Sequence, residues 1–411
     1  MKFLHAADIH LDSPLAGLHA RGDIPAEIIQ GCTRRAFQAM IDLAIAEDVA
    51  FVLIAGDLYD SNWRDFNTGL FFGREMRRLN RPCILIRGNH DASSVLTRHL
   101  QPPPSVTVLS ARKAETLVLE AHGVAIHGQS FPNRAVTEDL SAAYPPPRPG
   151  LFNIGLLHTS AEDPGEHETY APCRVASLAM KGYDYWALGH IHARRTLHER
   201  PWIVFPGNLQ GRHVRETGAK GCALVEVRNG RVETVEHRAI DVLRWAHVAV
   251  DLNGAATAEE VALRLRFALA QAQGAAEGRP LFARVTLTGA TAQHAAMLAE
   301  PDAIDAEARN AAAAAGTDVF VEQVRVLTRP PAAAAPDAED QLAAVFQAAL
   351  DAPDLLRDLL AELRSLANQV PPLPGRAPPD LPETEAALRA LAPEAWQVVA
   401  HRLAGRGTAC D

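Results

Sequence analysis

A layered α/β fold, followed by a smaller α/β unit and a helical C-terminal region, is predicted by three features of this sequence. Short apolar runs, several of them unbroken Val/Ile/Leu, alternate with amphipathic stretches over residues 1–240. Unbroken apolar runs belong to strands covered on both faces, and their alternation with helices belongs to a sheet with layers packed on it. The third feature is that Asp, Asn and His gather just after those runs, at the strand ends where open α/β sheets place their ligands.

Taken in order, strands are predicted at Phe3–Ala7, Phe51–Ala55, Cys83–Arg87, Val106–Leu109, Val124–His127, Asn153–His158, Tyr185–Leu188, Ile203–Phe205 and Cys222–Val227. Helices are predicted between Ala26 and Glu47, between Arg64 and Asn80, and around Val175–Lys181. A second unit, residues 241–329, joins strand signals at His247–Leu252, Phe282–Thr288 and Val319–Leu327 to helical stretches near Thr257–Gln273 and Ala292–Ala315. Residues 330–340 carry Pro330-Pro331-Ala332-Ala333-Ala334-Ala335-Pro336, a semi-rigid Pro/Ala linker. Residues 341–411 show apolar residues at helical spacing: Leu342, Val345, Phe346 and Ala349, then Leu355, Leu359, Leu363 and Leu366. A Pro-rich break, Pro371–Pro382, precedes a last helix with Leu388, Leu391, Trp396, Val399 and Leu403.

Composition narrows the class. A 48% hydrophobic and 22% charged chain is that of an ordinary globular protein. No apolar run reaches the roughly 18 residues of a membrane span, and the N-terminus enters a strand with no leader-like segment. The cysteines Cys32, Cys83, Cys173, Cys222 and Cys410 are scattered without a CxxC pair, which argues against a disulfide framework or a zinc ribbon. A cytoplasmic protein is expected. The net charge of −9 does not suit a protein that grips nucleic acid over its whole surface. From His190 to Lys220, however, six basic residues face two acids, whereas from Pro330 to Asp411 six face twelve. A basic strip attracts phosphate and an acidic tail is repelled by it.

The chemistry lies in an ordered set: Asp8-Ile9-His10, Gly56-Asp57, Gly88-Asn89-His90-Asp91, His158, and Gly189-His190-Ile191-His192. Taken singly these are weak. Asp8-Ile9-His10 reads equally as a polar strand end, the Gly-Asn-His-Asp run as a turn, and His158 as a core histidine. Together they offer carboxylate, amide and imidazole ligands for two adjacent borderline-to-hard divalent metals, with one histidine left for proton chemistry. Asp57 is the natural bridge, because it ends a strand and Gly56 allows close backbone approach. Asp8 and His10 lie two apart, so an extended segment would point both to one side, and His190 and His192 repeat that spacing. His5 and His127 read as core residues. His213, in a Gly-rich basic loop, reads as either a phosphate contact or a solvated loop residue.

These motifs resemble those of the calcineurin-like metallophosphoesterases. The opening Lys2-Phe3-Leu4-His5-Ala6-Ala7-Asp8-Ile9-His10-Leu11-Asp12 is similar to the SbcD branch of DNA repair nucleases. Pro206-Gly207-Asn208-Leu209-Gln210-Gly211-Arg212-His213, with Glu216-Thr217-Gly218-Ala219-Lys220-Gly221, looks like YhaO-type bacterial members. The resemblance implies a calcineurin-like phosphoesterase sandwich over residues 1–240 and a small capping domain over 241–329. It implies two divalent ions, manganese foremost, one held by Asp8, His10, Asp57 and His192 and the other by Asp57, Asn89, His158 and His190. His90 is then the unliganded imidazole. Asp60 completes the Gly-Asp-x-x-Asp pattern of the phosphatase relatives, where it orients that histidine; the archaeal and eukaryotic nuclease relatives carry a histidine there.

The function expected is a two-metal DNA nuclease, an exonuclease of DNA repair, with DNA phosphates contacting Arg212, His213, Arg215 and Lys220. The resemblance implies an SbcC-like or YhaN-like coiled-coil ATPase as partner; a homodimer is a further expectation. A phosphoesterase for a small diester or a phosphoprotein would use the same metal core. A non-catalytic scaffold is disfavoured, since such scaffolds typically lose metal ligands and here every position is filled.

Overall fold

A computed structural model describes the chain except for residues 16–23, 61–64, 95–100, 162–169, 332–338, 353, 370–380 and 407–411. The start of the second predicted helix at Arg64, most of the Pro/Ala linker, most of the Pro371–Pro382 break, and Cys410 lie outside the described residues. The described residues fall into two compact units, one holding Met1–Leu15 and Pro25–Arg244, the other Ile24 and the part from Trp245 onward.

The first unit is built on two six-stranded sheets. One contains β1 (Lys2–Ala6), β2 (Phe51–Ala55), β3 (Cys83–Ile86), β4 (Val106–Val108), β11 (Gly221–Arg228) and β12 (Arg231–Ala239), in the order β12-β11-β1-β2-β3-β4. The other contains β5 (Glu115–Leu119), β6 (Val124–Gly128), β7 (Phe152–His158), β8 (Tyr185–Gly189), β9 (Arg195–Glu199) and β10 (Trp202–Phe205), in the order β5-β6-β7-β8-β10-β9. Strands β1 to β4 run parallel, as do β6, β7, β8 and β10, so their C-terminal ends share one edge within each sheet.

Alternation along each strand explains the layering. Phe3, Phe51, Leu53, Ile84 and Ile86 point to the other sheet and meet Ile126, Ile154, Leu156, Tyr185 and Ala187 in one buried cluster. Leu4, Val52, Ile54 and Leu85 point the opposite way, onto Phe37, Met40 and Ile41 of helix Cys32–Ala46 and Phe71, Phe72 and Met76 of helix Phe66–Leu79. The far side of the second sheet buries Leu157, Trp186, Leu188 and Phe205 with Tyr144, Leu178 and Tyr183. Every strand of this sandwich that is apolar on both faces was legible; three were not. β5, β9 and β12 each lie at a sheet edge. An edge strand is covered less, so Glu115–Leu119, Arg195–Glu199 and Arg231–Ala239 keep polar residues and lack the unbroken apolar run.

Helices depart from prediction where the backbone forbids continuity. The stretch from Ala26 to Glu47 is two helices, Ala26–Ile29 and Cys32–Ala46, separated at the left-handed Gly31 (φ 63°). His5 and His127 are core residues. His5 Nδ1 and Nε2 lie 3.0 Å from Tyr185 OH and 3.1 Å from the Leu188 carbonyl, and His127 stacks on Tyr183 at 4.4 Å.

The second unit has a sheet ordered β13 (Arg244–Asp251), β14 (Leu281–Ala290), β15 (Val319–Arg329). Helices Ala258–Ala275 and Pro301–Ala315 pack on it through Val261, Leu265, Leu269, Ala308 and Ala311 against Val285, Leu287 and Val321. The predicted helical stretch Ala292–Ala315 breaks into His294–Ala299 and Pro301–Ala315, because Pro301 has no N–H to continue the first helix. Helices Glu339–Leu350, Leu355–Gln369 and Glu385–Arg406 follow. They share a small cluster of Leu350, Leu356 and Ala392 with Phe346 and Leu388, and leave Leu342, Val345 and Leu366 exposed.

Gly155 tests the packing of the second sheet. A Cβ there would sit 2.3 Å from the buried Trp186 ring, whose Nε1 donates to the Leu178 carbonyl at 3.0 Å. Gly155→Ala should lower stability by about 1–3 kcal/mol in denaturant titration, the cost of overpacking. Unchanged stability would show that the Trp186 pocket can relax.

Candidate metal centre

Five strand ends build the site. Asp8 and His10 follow β1, Asp57 follows β2, Asn89 and His90 follow β3, His158 closes β7, and His190 and His192 follow β8. The segments are not extended as their spacing suggested. Asp8, His10 and Asp57 have φ of 51°, 46° and 53°, and His190 has φ of 105°. Non-glycine residues in this region are strained, and such strain collects at functional sites. Asp8 N–H and His10 N–H donate to the carbonyls of Gly56 and Asp57, each at 3.0 Å, so the turns after β1 and β2 are stitched together.

The structure brings all seven side chains named as ligands to this edge. Asp8, His10 and His192 offer ligand atoms within 4.8 Å of one another, and so do Asp8, Asp57 and His158. His10 Nε2 is 4.0 Å and His158 Nε2 3.5 Å from Asp57 Oδ2. Asn89 Oδ1 is 3.0 Å from His158 Nε2, and the His190 ring lies 5.2 Å from that of His158. Asp8 is common to the two groups, and Asp57 Oδ2 lies within reach of both His10 and His158. Two glycines leave the space: a Cβ on Gly56, itself at φ 96°, would meet His158 Nδ1 at 2.4 Å, and one on Gly88 would meet Asp57 Oδ1 at 2.3 Å.

Electrostatics suit cations here. Burial, then the neighbouring Asp57 charge, pushes the Asp8 carboxyl well above its ordinary pKa. Backbone N–H groups offset part of this: His190 N–H reaches Asp8 at 2.9 and 3.1 Å, and His90 N–H reaches Asp57 at 2.9 Å. His10 is fully buried, and neither of its ring nitrogens has a hydrogen-bond partner among the described residues. Burial, then the Arg212 charge, lowers its pKa, which leaves an imidazole with a lone pair to give. Hard and borderline divalent ions fit this donor set of carboxylate, amide oxygen and imidazole.

At the rim, His90 Nδ1 lies 2.8 Å from Asp60 Oδ1, with the His90 side chain 30% exposed. Burial opposes charge on His90, but the Asp60 hydrogen bond and the Asp57 charge outweigh it and raise its pKa. Asp60 also accepts from Ser13 Oγ at 2.7 Å.

Two carboxylates without an assigned role in the sequence reading join the site. Asp91 accepts from the N–H groups of Leu58, Tyr59 and Gly88 at 3.1, 2.9 and 3.3 Å, tying the turn after β2 to the turn after β3. Burial, then the Asp57 charge, pushes it up to about 7. Glu216 Oε1 takes the Nδ1 side of His192 at 2.6 Å. Its signals in the sequence are that it opens the Glu216–Gly221 segment of the YhaO-type resemblance and that it is an acid within a run of Arg212, Arg215 and Lys220. Of the residues read as DNA contacts, Arg212 is mostly withdrawn beside Glu216, His213 Nε2 is 3.4 Å from Glu216, and Arg215 is exposed. Lys220 is buried, with Nζ donating to the His192 carbonyl at 2.9 Å.

Residues 1–194 match the calcineurin-like phosphoesterase family, and residues 245–329 match the middle domain of metallophosphoesterase YhaO. The N-terminal unit is a calcineurin-like metallophosphoesterase domain. The chain is similar to the uncharacterized metallophosphoesterase YhaO of Bacillus subtilis, 39% identical over 62% of this chain and 64% of that protein. It is similar also to the DNA double-strand break repair protein Mre11 of Sulfurisphaera tokodaii, 26% identical over 61% of this chain and 66% of that one. Both matches thus span just under two thirds of the relative's own length. The crystal structure of TT1561 of Thermus thermophilus is matched at 13% identity and a TM-score of 0.35, over 58% of this chain and 99% of that one. No helix among the described residues is long and apolar enough to cross a membrane.

Like charges buried together cost stability until cations join them. Adding Mn2+ to chelator-stripped protein should therefore raise the unfolding free energy, by about 2.7 kcal/mol at a hundred times Kd. Asp57→Asn should stabilise the stripped protein and remove the Mn2+ response. A full response in the variant would show that Asp57 is not a ligand.

Proposed function

We propose that this chain is a metal-dependent phosphodiesterase acting on DNA, an exonuclease of repair, with two divalent ions, manganese foremost. The observation that carries the reading is the convergence of Asp8, His10, Asp57, Asn89, His158, His190 and His192 beneath the half-open His90–Asp60 pair. Bound ions would supply electrophilic charge at the phosphoryl oxygens and activate a water nucleophile. His90, with Nδ1 on Asp60, is held toward its protonated form, so it suits protonation of the leaving oxygen. Asp60 orients the ring and offsets its charge. DNA as substrate is supported by similarity to Mre11 proteins named for double-strand break repair, and by the exposed Arg194, Arg195 and Arg215 beside the last motif.

A second reading, a phosphoesterase for small diesters or phosphoproteins, is favoured by one observation. Arg212 and Lys220, half of the four residues read as DNA contacts, are drawn in against Glu216 and the His192 carbonyl. Purified protein with Mn2+ should be offered end-labelled linear DNA, circular single-stranded DNA and bis-p-nitrophenyl phosphate. Loss of label from the linear substrate alone among the DNAs supports an exonuclease. Turnover of the small diester with both DNAs intact would replace DNA by the second reading.

His90→Ala should lower turnover by roughly 10²–10⁴ while metal content stays near wild type, the mark of a lost general acid. Loss of metal from that variant would make His90 a ligand.

The C-terminal helices support an SbcC-like or YhaN-like ATPase partner, because they are acidic and expose Leu342 and Val345. Replacing both with Asp should abolish co-elution with such an ATPase and leave small-diester hydrolysis intact. Retained co-elution would move the contact elsewhere.

A further inference from the structure

Glu216 is buried where several donors converge. Oε1 takes His192 Nδ1 at 2.6 Å, while Oε2 takes Asn208 Nδ2 at 2.9 Å and Arg212 N–H at 2.6 Å. Arg212 Nη2 and His213 Nε2 each lie 3.4 Å from Oε1. A neutral imidazole has one N–H and one lone pair. With Glu216 accepting at Nδ1, the lone pair of His192 stays on Nε2, the atom 4.0 Å from Asp8 Oδ1. Behind its Nδ1, His158 has the neutral Ala55 carbonyl at 2.8 Å and no carboxylate among the described residues. His192 thus differs in having a carboxylate behind it.

On its other side Glu216 holds Arg212. This guanidinium also reaches Ser13 Oγ at 3.3 Å and lies 3.7 Å from Asp60 Oδ2. Asp60 in turn holds His90. Arg212 therefore spans from the carboxylate behind His192 to the carboxylate behind His90, and both of those rings pack on His10, at 5.3 and 4.8 Å. Its side-chain contacts are longer than the roughly 2.7–2.9 Å of good charge-assisted hydrogen bonds. Its Nε is buried with no hydrogen-bond partner among the described residues, although the side chain is only 14% exposed. Withdrawing a guanidinium and leaving a donor unsatisfied is costly. Its planar fork is shaped for two oxygens of a phosphoryl group.

We propose that Glu216 is a positioning residue acting in two directions. It fixes the tautomer of His192 for a metal, and it aims Arg212 at the non-bridging oxygens of the reacting phosphoryl group. The inference rests on the phosphoesterase reading and deepens it. The anion that Arg212 recognises is the reacting group itself, in a small ester or a polymer, and not a flanking stretch of DNA backbone. Glu216→Gln is an informative change, since it swaps one acceptor oxygen for an NH2 donor. Donors face Glu216 on both sides, so the amide turns an NH2 group toward one of them and removes the negative charge that both sides face.

The experiment is calorimetry on the full, chelator-stripped chain: Mn2+ is titrated alone, then inorganic phosphate into Mn2+-saturated protein. Glu216→Gln should weaken Mn2+ binding about 10–100-fold, as loss of a partner behind a ligating histidine does, and should weaken phosphate binding as well. Arg212→Gln should keep Mn2+ affinity near wild type and lose roughly tenfold or more in phosphate affinity, the scale of a lost charge-assisted hydrogen bond. Arg212→Lys, which keeps the charge without the fork, should recover only part of that loss. Phosphate affinity in Arg212→Gln equal to wild type would overturn the proposal. So would a Glu216→Gln protein with a lowered melting point and both isotherms unchanged, which is what a merely structural role predicts. Wild-type protein that takes up neither Mn2+ nor phosphate removes the phosphoesterase reading and the positioning role together. Uptake of both by wild type and variants alike removes the positioning role alone.

Discussion

Asp8 and Asp57 are buried within reach of the same imidazoles, and much of the surrounding architecture manages the repulsion between them. Each carboxylate receives a backbone N–H from the turn of another strand, His190 for Asp8 and His90 for Asp57. The His190 N–H is carried by a residue at positive φ, the His90 N–H belongs to the first turn of the short helix Asn89–Ser93, and both fit because Gly56 and Gly88 carry no side chain where His158 and Asp57 pass. The parallel strands then do the rest, since parallel neighbours end at the same edge and deliver all of these turns to one place. Conformational strain and charge repulsion are thus concentrated where a bound cation would relieve the second of them.

Around that core the rim is organised by two carboxylates that touch histidines. Asp60 stands behind His90, and Glu216 stands behind His192. The two arrangements have different consequences. His90 is partly exposed and is drawn toward its charged form, which suits a proton donor. Burial, more than the Glu216 contact opposes it, keeps the His192 pKa low, which suits a lone-pair donor. Arg212 lies between both carboxylates, so the two histidine–carboxylate pairs share one cation. The basic strip beside the last motif accordingly divides into residues turned inward, Arg212 and Lys220, and residues turned to solvent, Arg194, Arg195 and Arg215.

The fold was legible wherever burial leaves a compositional mark. Strands covered on both faces, such as Phe51–Ala55 and Tyr185–Gly189, cannot be polar, and they announced themselves. The edge strands Glu115–Leu119, Arg195–Glu199 and Arg231–Ala239 are under no such demand and passed unseen. Helix breaks at Gly31 and Pro301 follow from local backbone chemistry, yet the surrounding periodicity masked them, because apolar spacing continues across a kink.

By itself the sequence determined which residue types could meet a metal and in what order along the chain they come. The candidate ligands are Asp, Asn and His residues that come at or just after apolar strands, so the set could be put forward without knowing any distance. Only the tertiary structure decided which carboxylate stands behind which histidine. Glu216 lies 24 positions from His192, and Asp60 lies 30 from His90; no local spacing rule links such pairs. Nor could the sequence tell that Lys220 would be spent on a carbonyl while Arg215 faces water, because the direction of a loop side chain is set by what packs beneath it. The extended geometry expected for Asp8 and His10 failed for the same reason. Their left-handed turn is imposed by hydrogen bonds to Gly56 and Asp57 on the neighbouring strand, partners that exist only once β1 and β2 are side by side.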